Sequence, residues 1–154
     1  FSKFKHEIGS GAIEGVAGQA AAMTAALQAA GVAPQEVDAI NAHGTGTQAN
    51  DSVETAAIKA VFGERASRIP ISATKALHGH LLGAASALEC VLSLMALQHA
   101  VALPTMHLQQ ADPQCDLDYV PNFAREGVPI RTLLSSSFAF GGTNAVLALR
   151  AAAL

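Results

Sequence analysis

The chain has 154 residues, 51% of them apolar and only 14% charged, with a formal net charge of −3. That length supports one domain with its own core. A charged share well below the roughly one quarter usual for soluble domains leaves little simple solvated surface, so the chain is expected to be part of a larger body or to carry a wide buried interface. The negative balance, with no cluster of Lys and Arg, excludes nucleic acid as a partner, because phosphates need clustered cations.

A start at Phe1 rather than Met reads as a cut, with any targeting segment lost. Residues 1–12, "FSKFKHEIGSGA", read as loop. Ile13 to Ala30 reads as an Ala-rich helix stopped by Gly31. The charge-free stretch around it, Gly15 to Gln35, is built of Ala, Gly, Gln and Thr rather than Leu and Ile, so no membrane span is expected. "VDAINAHG" is a short strand broken by Gly44, and "TGTQAND" is a loop. Asp51 is placed as an N-cap with Glu54 closing a capping box, so the next helix is expected from Ser52 to about Phe62. "RIPISATK" is a second strand. Residues from about 80 to 98 form a helix apolar almost all round, which marks it as buried between layers. "VALPTMHL" is extended because Pro104 forbids a helix interior. "ADPQCDLDYVPN" is a polar loop, "IRTLLSSSFAF" a strand ending at "GGTN", and "AVLALRA" the last strand. The alternation points to a layered α/β body.

Four stretches carry residues suited to chemistry. In "NAHGTGT", His43 ends a buried strand, where α/β folds place function. Gly44 and Gly46 permit close backbone approach, and Thr45 and Thr47 offer hydroxyls. The alternative is a turn with a satisfied histidine. In "TKALHGH", Lys75 follows a strand and His78 and His80 flank Gly79; no Cys or carboxylate stands near at ligand spacing, so a metal is not expected. His80 opens the apolar helix, whose N-terminal dipole favours a neutral imidazole that donates a hydrogen bond.

Glu89 is the odd residue of that helix, and a buried carboxylate must be paired or neutral. Lys75 is its partner by charge. A regular helix from His80 would turn Glu89 to the opposite face, so the pair needs a helix that begins late, near Gly83; otherwise Glu89 caps a loop or binds a water or cation. In "SSSFAFGGTN", Phe138 and Phe140 share a face if the strand continues, and Gly141-Gly142 exposes backbone N–H groups of the kind that build an oxyanion hole. The alternative is a glycine hairpin with core phenylalanines. Cys90, inside the helix, and Cys115, among Asp112, Asp116 and Asp118, are both read as inert thiols.

The motifs "NAHGTGT…ND", "TK….GHLLGAA" and "SFxFGGTN", in this order and spacing, resemble the β-ketoacyl-acyl carrier protein synthases, condensing enzymes of the thiolase-like fold that include polyketide ketosynthases. The resemblance covers residues 13–154 and corresponds to the C-terminal half of such an enzyme. It implies a thiolase-like αβαβα sandwich of which this chain is one half-domain. It also implies a Cys-His-His triad whose histidines fall on His43 and His80, with the cysteine in an N-terminal half that this chain lacks. Lys75 and Glu89 match a lysine and a buried glutamate that lie together. Thr45 and Thr47 match threonines that bind the phosphopantetheine arm, Phe140 a gating phenylalanine whose N–H serves the oxyanion hole, and Phe138 its aromatic neighbour.

The gate departs from the family's Gly-Phe-Gly-Gly: Ala139 stands for its first glycine, which would strain or stiffen the loop if that position needs φ > 0. The implied reaction is decarboxylative Claisen condensation in fatty-acid or polyketide elongation, in the cytoplasm. No cofactor is bound; substrates arrive on acyl carrier protein. The implied assembly is a dimer, homodimeric or a ketosynthase heterodimer. Two other readings are a non-catalytic chain-length partner subunit, in which the histidines are usually lost, and a thiolase-like acyltransferase using coenzyme A, against which the spacing of "HGTGT" and "GHLLGAA" argues.

Overall fold

The computed structural model describes residues 2–5 and 15–151, with side chains from residue 15 onward. Its strands are β1 (Ser2–Lys5), β2 (Ala39–Asn41), β3 (Ile71–Ser72), β4 (Val101–Ala102), β5 (Arg125–Glu126), β6 (Thr132–Ala139) and β7 (Thr143–Arg150). Five of them make one sheet in the order β1-β7-β6-β2-β3, and β4 and β5 pair separately. β2 runs parallel to β3 and β6, whereas β7 is antiparallel to β6 and β1. The carboxyl ends of three neighbouring strands, β6, β2 and β3, therefore lie at one edge of the sheet.

The strands feed two cores. In β2, Ile40 points into a cluster with helices α1 (Val16–Ala30) and α2 (Gln48–Phe62), while Ala39 points into a cluster on the opposite face. Leu134 and Leu133 of β6 divide in the same way, as the two-residue period of a strand requires. The first core holds Met23, Leu27, Ile58 and Phe62; the second holds Ala96 and Leu97 of a later helix. Gly31, at φ 61°, ends α1 in the left-handed conformation, and its N–H bonds back to Gln28 O.

Several expectations need correction. The loop expected over residues 1–12 contains β1, and residues 6–12 lie outside the described residues, as do Ile13 and Glu14 of the first expected helix. α2 starts at Gln48, not Ser52: Thr47 is its N-cap and accepts from Asn50 N at 3.3 Å. Glu54 closes no capping box, because its carboxylate turns to the preceding loop. The apolar segment from residue 80 is not one helix. A single turn, α3 (Lys75–His78), ends at Gly79, a 3-10 turn spans Leu82–Ala84, and α4 (Ala85–His99) begins only then.

α4 is not buried all round either. Ala85, Glu89, Ser93, Ala96 and Leu97 face the sheet, while Val91, Leu94 and Met95 are exposed within the described residues. The segment Leu82–His99 is long and apolar enough on composition to cross a bilayer. Its inward stripe, however, carries Glu89 and Ser93 in polar contacts with the sheet layer, which is the pattern of a core helix.

Candidate active site

His43 lies two residues beyond β2 and is 8% exposed. Its loop is clamped from α2: Glu54 Oε1 accepts from His43 N at 2.8 Å and Oε2 from Gly44 N at 2.9 Å, with Asn50 Nδ2 also donating to Oε2 at 3.1 Å. Burial raises the Glu54 pKa, against the N–H groups that hold its charged form. Gly44 is required on steric grounds. It sits at φ +45°, and a Cβ there would lie 2.7 Å from Ala73 Cβ. The close approach expected of this glycine is thus made to the neighbouring β3–α3 loop.

Lys75 follows β3 and is buried together with Glu89. Its Nζ donates to Glu89 Oε1 at 2.5 Å and to His43 O at 2.6 Å, and lies 3.4 Å from His43 Nδ1. The late start of α4 makes the pair possible, since the break after His78 leaves only about one helical turn, from Ala85, before Glu89. Asn41, Thr74 and Ser93 complete this corner. Asn41 Nδ2 donates to Glu89 O at 3.3 Å and Ser93 Oγ at 3.2 Å, and Thr74 Oγ1 donates to Asn41 Oδ1 at 3.3 Å. A polar Asn closing a buried strand signals such a network, because it must find partners.

The two histidines face each other with ring centroids 5.7 Å apart and planes at 84°. An ammonium only donates, so His43 Nδ1 accepts from Lys75 and the neutral ring carries its proton on Nε2. His80 Nδ1 accepts from Leu82 N at 3.0 Å, which sets the same tautomer. His80 does not open a helix, so this hydrogen bond, rather than a helix dipole, orients it. Burial lowers the His43 pKa to about 4, helped by Lys75 and then His80. The corner therefore presents two Nε2–H donors, one on a ring that stays neutral well below pH 7.

Phe138 is 7% exposed and meets the His43 ring edge-on at 5.9 Å. Phe140 is fully exposed on the turn after β6, so the two phenylalanines do not share a face. The positive φ values fall on Gly141 and Gly142, and Ala139 is extended at φ −135°, so alanine is unstrained in this position. Thr45 and Thr47 bond each other at 2.9 Å beside the His43 loop. A cleft of about 710 Å³ opens between the start of α2 and the 105–121 loop, lined by Thr47 and Asp51 on one side and Asp112 and Tyr119 on the other; neither histidine lines it. His78 makes no hydrogen bond or ring contact with the pair of histidines among the described residues; its Nδ1 lies 2.7 Å from Gly79 O. Burial first, and then the nearby aspartates, raise the Cys115 pKa. Among the described residues no three His, Cys, Asp or Glu side chains gather to hold a metal ion.

Residues 5–109 match the model of the beta-ketoacyl synthase C-terminal domain. Nodulation protein E of Rhizobium sp. (strain N33) is 56% identical over 88% of the chain and 33% of its own length. 3-Oxoacyl-[acyl-carrier-protein] synthase 2 of Coxiella burnetii is 52% identical over 82% of the chain and 30% of its own length. A type II PKS ketosynthase solved with its acyl-carrier protein (AntDE:AntF) is 38% identical, with a TM-score of 0.88 over 99% of the chain and 37% of that structure. The chain spans about a third of the length of the curated relatives it matches.

Proposed function

The chain belongs to the β-ketoacyl synthase family, as its C-terminal domain, and we propose that it supplies the histidine half of a condensing active site. Here the thiolase-like half-domain, residues 13–154, completes its site with a cysteine from the N-terminal half of the same enzyme. That cysteine holds an acyl chain as a thioester. The second substrate is a malonyl group on the phosphopantetheine arm of acyl carrier protein. Thr45 and Thr47 bind the arm where it passes the His43 loop.

The observation that carries this reading is the facing pair of imidazoles whose Nδ1 atoms are both engaged by N–H donors. When the malonyl C–C bond to the carboxylate breaks, its electron pair passes into an enolate whose oxygen takes hydrogen bonds from His43 Nε2–H and His80 Nε2–H. The enolate carbon then attacks the thioester carbonyl, the tetrahedral oxyanion takes the Phe140 N–H, and the cysteine thiolate leaves. Carbon dioxide and a β-ketoacyl thioester on the carrier protein result. Lys75 holds the His43 carbonyl and ring, and Glu89 balances its charge. Phe140, on a turn with two glycines at positive φ, serves as the gate, with Phe138 packed behind His43.

The outer face of α4 is the surface covered by the N-terminal half, and the whole works as a cytoplasmic dimer. The retention of His43, Lys75 and His80 in one corner favours a catalytic subunit over a non-catalytic chain-length partner. The test is condensation by the full synthase carrying this chain. His43→Ala is expected to abolish product formation with the thermal transition retained; near-normal product would overturn the assignment.

A further inference from the structure

The chain from the end of β3 into α3 is tied down residue by residue. Ser72 Oγ donates to Leu103 O at 2.7 Å, Ala73 N to Thr105 Oγ1 at 3.0 Å and Thr74 Oγ1 to Asn41 Oδ1 at 3.3 Å, while Lys75 Nζ reaches Glu89 and His43. The last two ties belong to the corner already described. The first two come from the segment after β4, which has no part in the condensation chemistry.

Thr105 is a fixed post in that segment. Its N–H donates to Val120 O at 2.9 Å, and its carbonyl accepts from Asn122 N at 3.0 Å. Both of its main-chain polar groups are therefore engaged, and its β-branched side chain is stiff at χ1. Its hydroxyl oxygen is the acceptor for the Ala73 N–H. Ala73 in turn packs on the His43 loop, where a Cβ on Gly44 would come within 2.7 Å of Ala73 Cβ and 3.3 Å of Ala73 Cα. Two residues on, Lys75 Nζ donates to His43 O at 2.6 Å and lies 3.4 Å from His43 Nδ1.

We propose that Thr105 is a positioning residue for condensation: its hydroxyl fixes Ala73 against Gly44 and so sets the gap between the loop that carries Lys75 and the loop that carries His43. Glu54 holds the His43 side of that gap through the N–H groups of His43 and Gly44. Thr105 holds the other side through the N–H of Ala73. The inference rests on the reading of His43 as a donor in condensation.

The hydroxyl and the bulk of Thr105 are separable. Val keeps the branched shape but has no acceptor, so the Ala73 N–H must shift to find another partner. Ser keeps the acceptor and loses only a methyl group. A packing role ranks Val above Ser, and the proposal ranks Ser above Val. Tyr119→Phe is the control for loss of loop stability, because it removes the Tyr119–Thr55 hydrogen bond that ties the same loop to α2 and leaves the Ala73 bond in place.

The experiment uses the full synthase with ¹⁵N-labelled histidine. It measures the thermal transition, acyl transfer to the cysteine, malonyl decarboxylation and the His43 ring signals, identified by their loss in His43→Gln. Thr105→Val is expected to keep acyl transfer, to move the His43 signals and to lower the decarboxylation kcat about tenfold, with KM changed less than about threefold. Thr105→Ser is expected to keep the signals and a kcat within about threefold of wild type. Tyr119→Phe is expected to lower the thermal transition and leave kcat and signals unchanged. Wild-type signals and kcat in Thr105→Val, a Ser variant worse than Val, or losses that follow the thermal transition in all three variants would overturn the proposal. If Thr105→Val does not fold, Thr105→Ala against Thr105→Ser carries the same contrast: signals kept by Ser and moved by Ala support it, and equal signals refute it. Absent decarboxylation in the wild type would count against the proposed function, while the His43 signals in the same series still decide the role of Thr105.

Discussion

Lys75 Nζ meets Glu89 Oε1 at 2.5 Å, across a break in the helical segment that separates the two residues by fourteen positions. Both side chains are almost wholly buried, and the same ammonium donates to His43 O. The pair thus couples the start of α4, the end of β3 and the end of β2 at a single point.

Removing one partner strands the other. Lys75→Ala is expected to destabilise the fold by about 3–5 kcal/mol, because an uncompensated carboxylate is left buried. Lys75→Met with Glu89→Leu should recover much of that stability and none of the activity. A double-mutant cycle in denaturant gives the coupling; strictly additive losses would show that the two residues do not act as a pair.

Glu54 acts on His43 through the main chain. Glu54→Gln turns one acceptor oxygen into a donor facing a backbone N–H, which is expected to cost about 1–3 kcal/mol. In the full synthase it should lower kcat about tenfold with KM little changed, because His43 loses its setting rather than the substrate its contacts. Unchanged stability and kcat would remove Glu54 from the corner.

The charge state of His43 has a defined pH window. Its folded pKa, about 4, lies below the ordinary 6.5, so between those values the unfolded chain binds more protons than the folded one. The stability that the neutral ring contributes is complete above pH 6.5, falls as pH drops toward 4, and falls no further below it. A titration of the His43 ring signal by NMR is expected to show a midpoint near 4; a midpoint near 6.5 would contradict the burial argument.

The outer face of α4 leaves Val91, Leu94 and Met95 open. A contiguous apolar patch of this kind on an isolated domain drives association. Produced alone, the 154-residue chain is expected to self-associate in sedimentation experiments and to bind an apolar dye. A monomer with a cooperative thermal transition would show that this face needs no cover.

The grouping of His43 with His80 came only from the resemblance, whereas the layered α/β architecture could be read from the alternation of elements and the Lys75–Glu89 pair from charge. The break that permits the pair could not. Nothing in "HLLGAAS" marks Leu82 as the residue with positive φ, since leucine carries no such preference and Gly83 stands beside it. Glu54 was masked by its own spacing: three residues after Asp51 it mimics a capping box, and its real partners are the N–H groups of a loop ten and eleven residues earlier. α4 is apolar all round in sequence, and which face is covered depends on what packs against it.

The central claim is that His43 and His80 stabilise the enolate, and it is tested most directly by separating the partial reactions in the full synthase. In His43→Ala, transfer of the acyl chain to the cysteine should persist, while malonyl decarboxylation falls by about 10²–10³-fold, the usual loss for an oxyanion donor. Decarboxylation within about threefold of wild type would contradict the account.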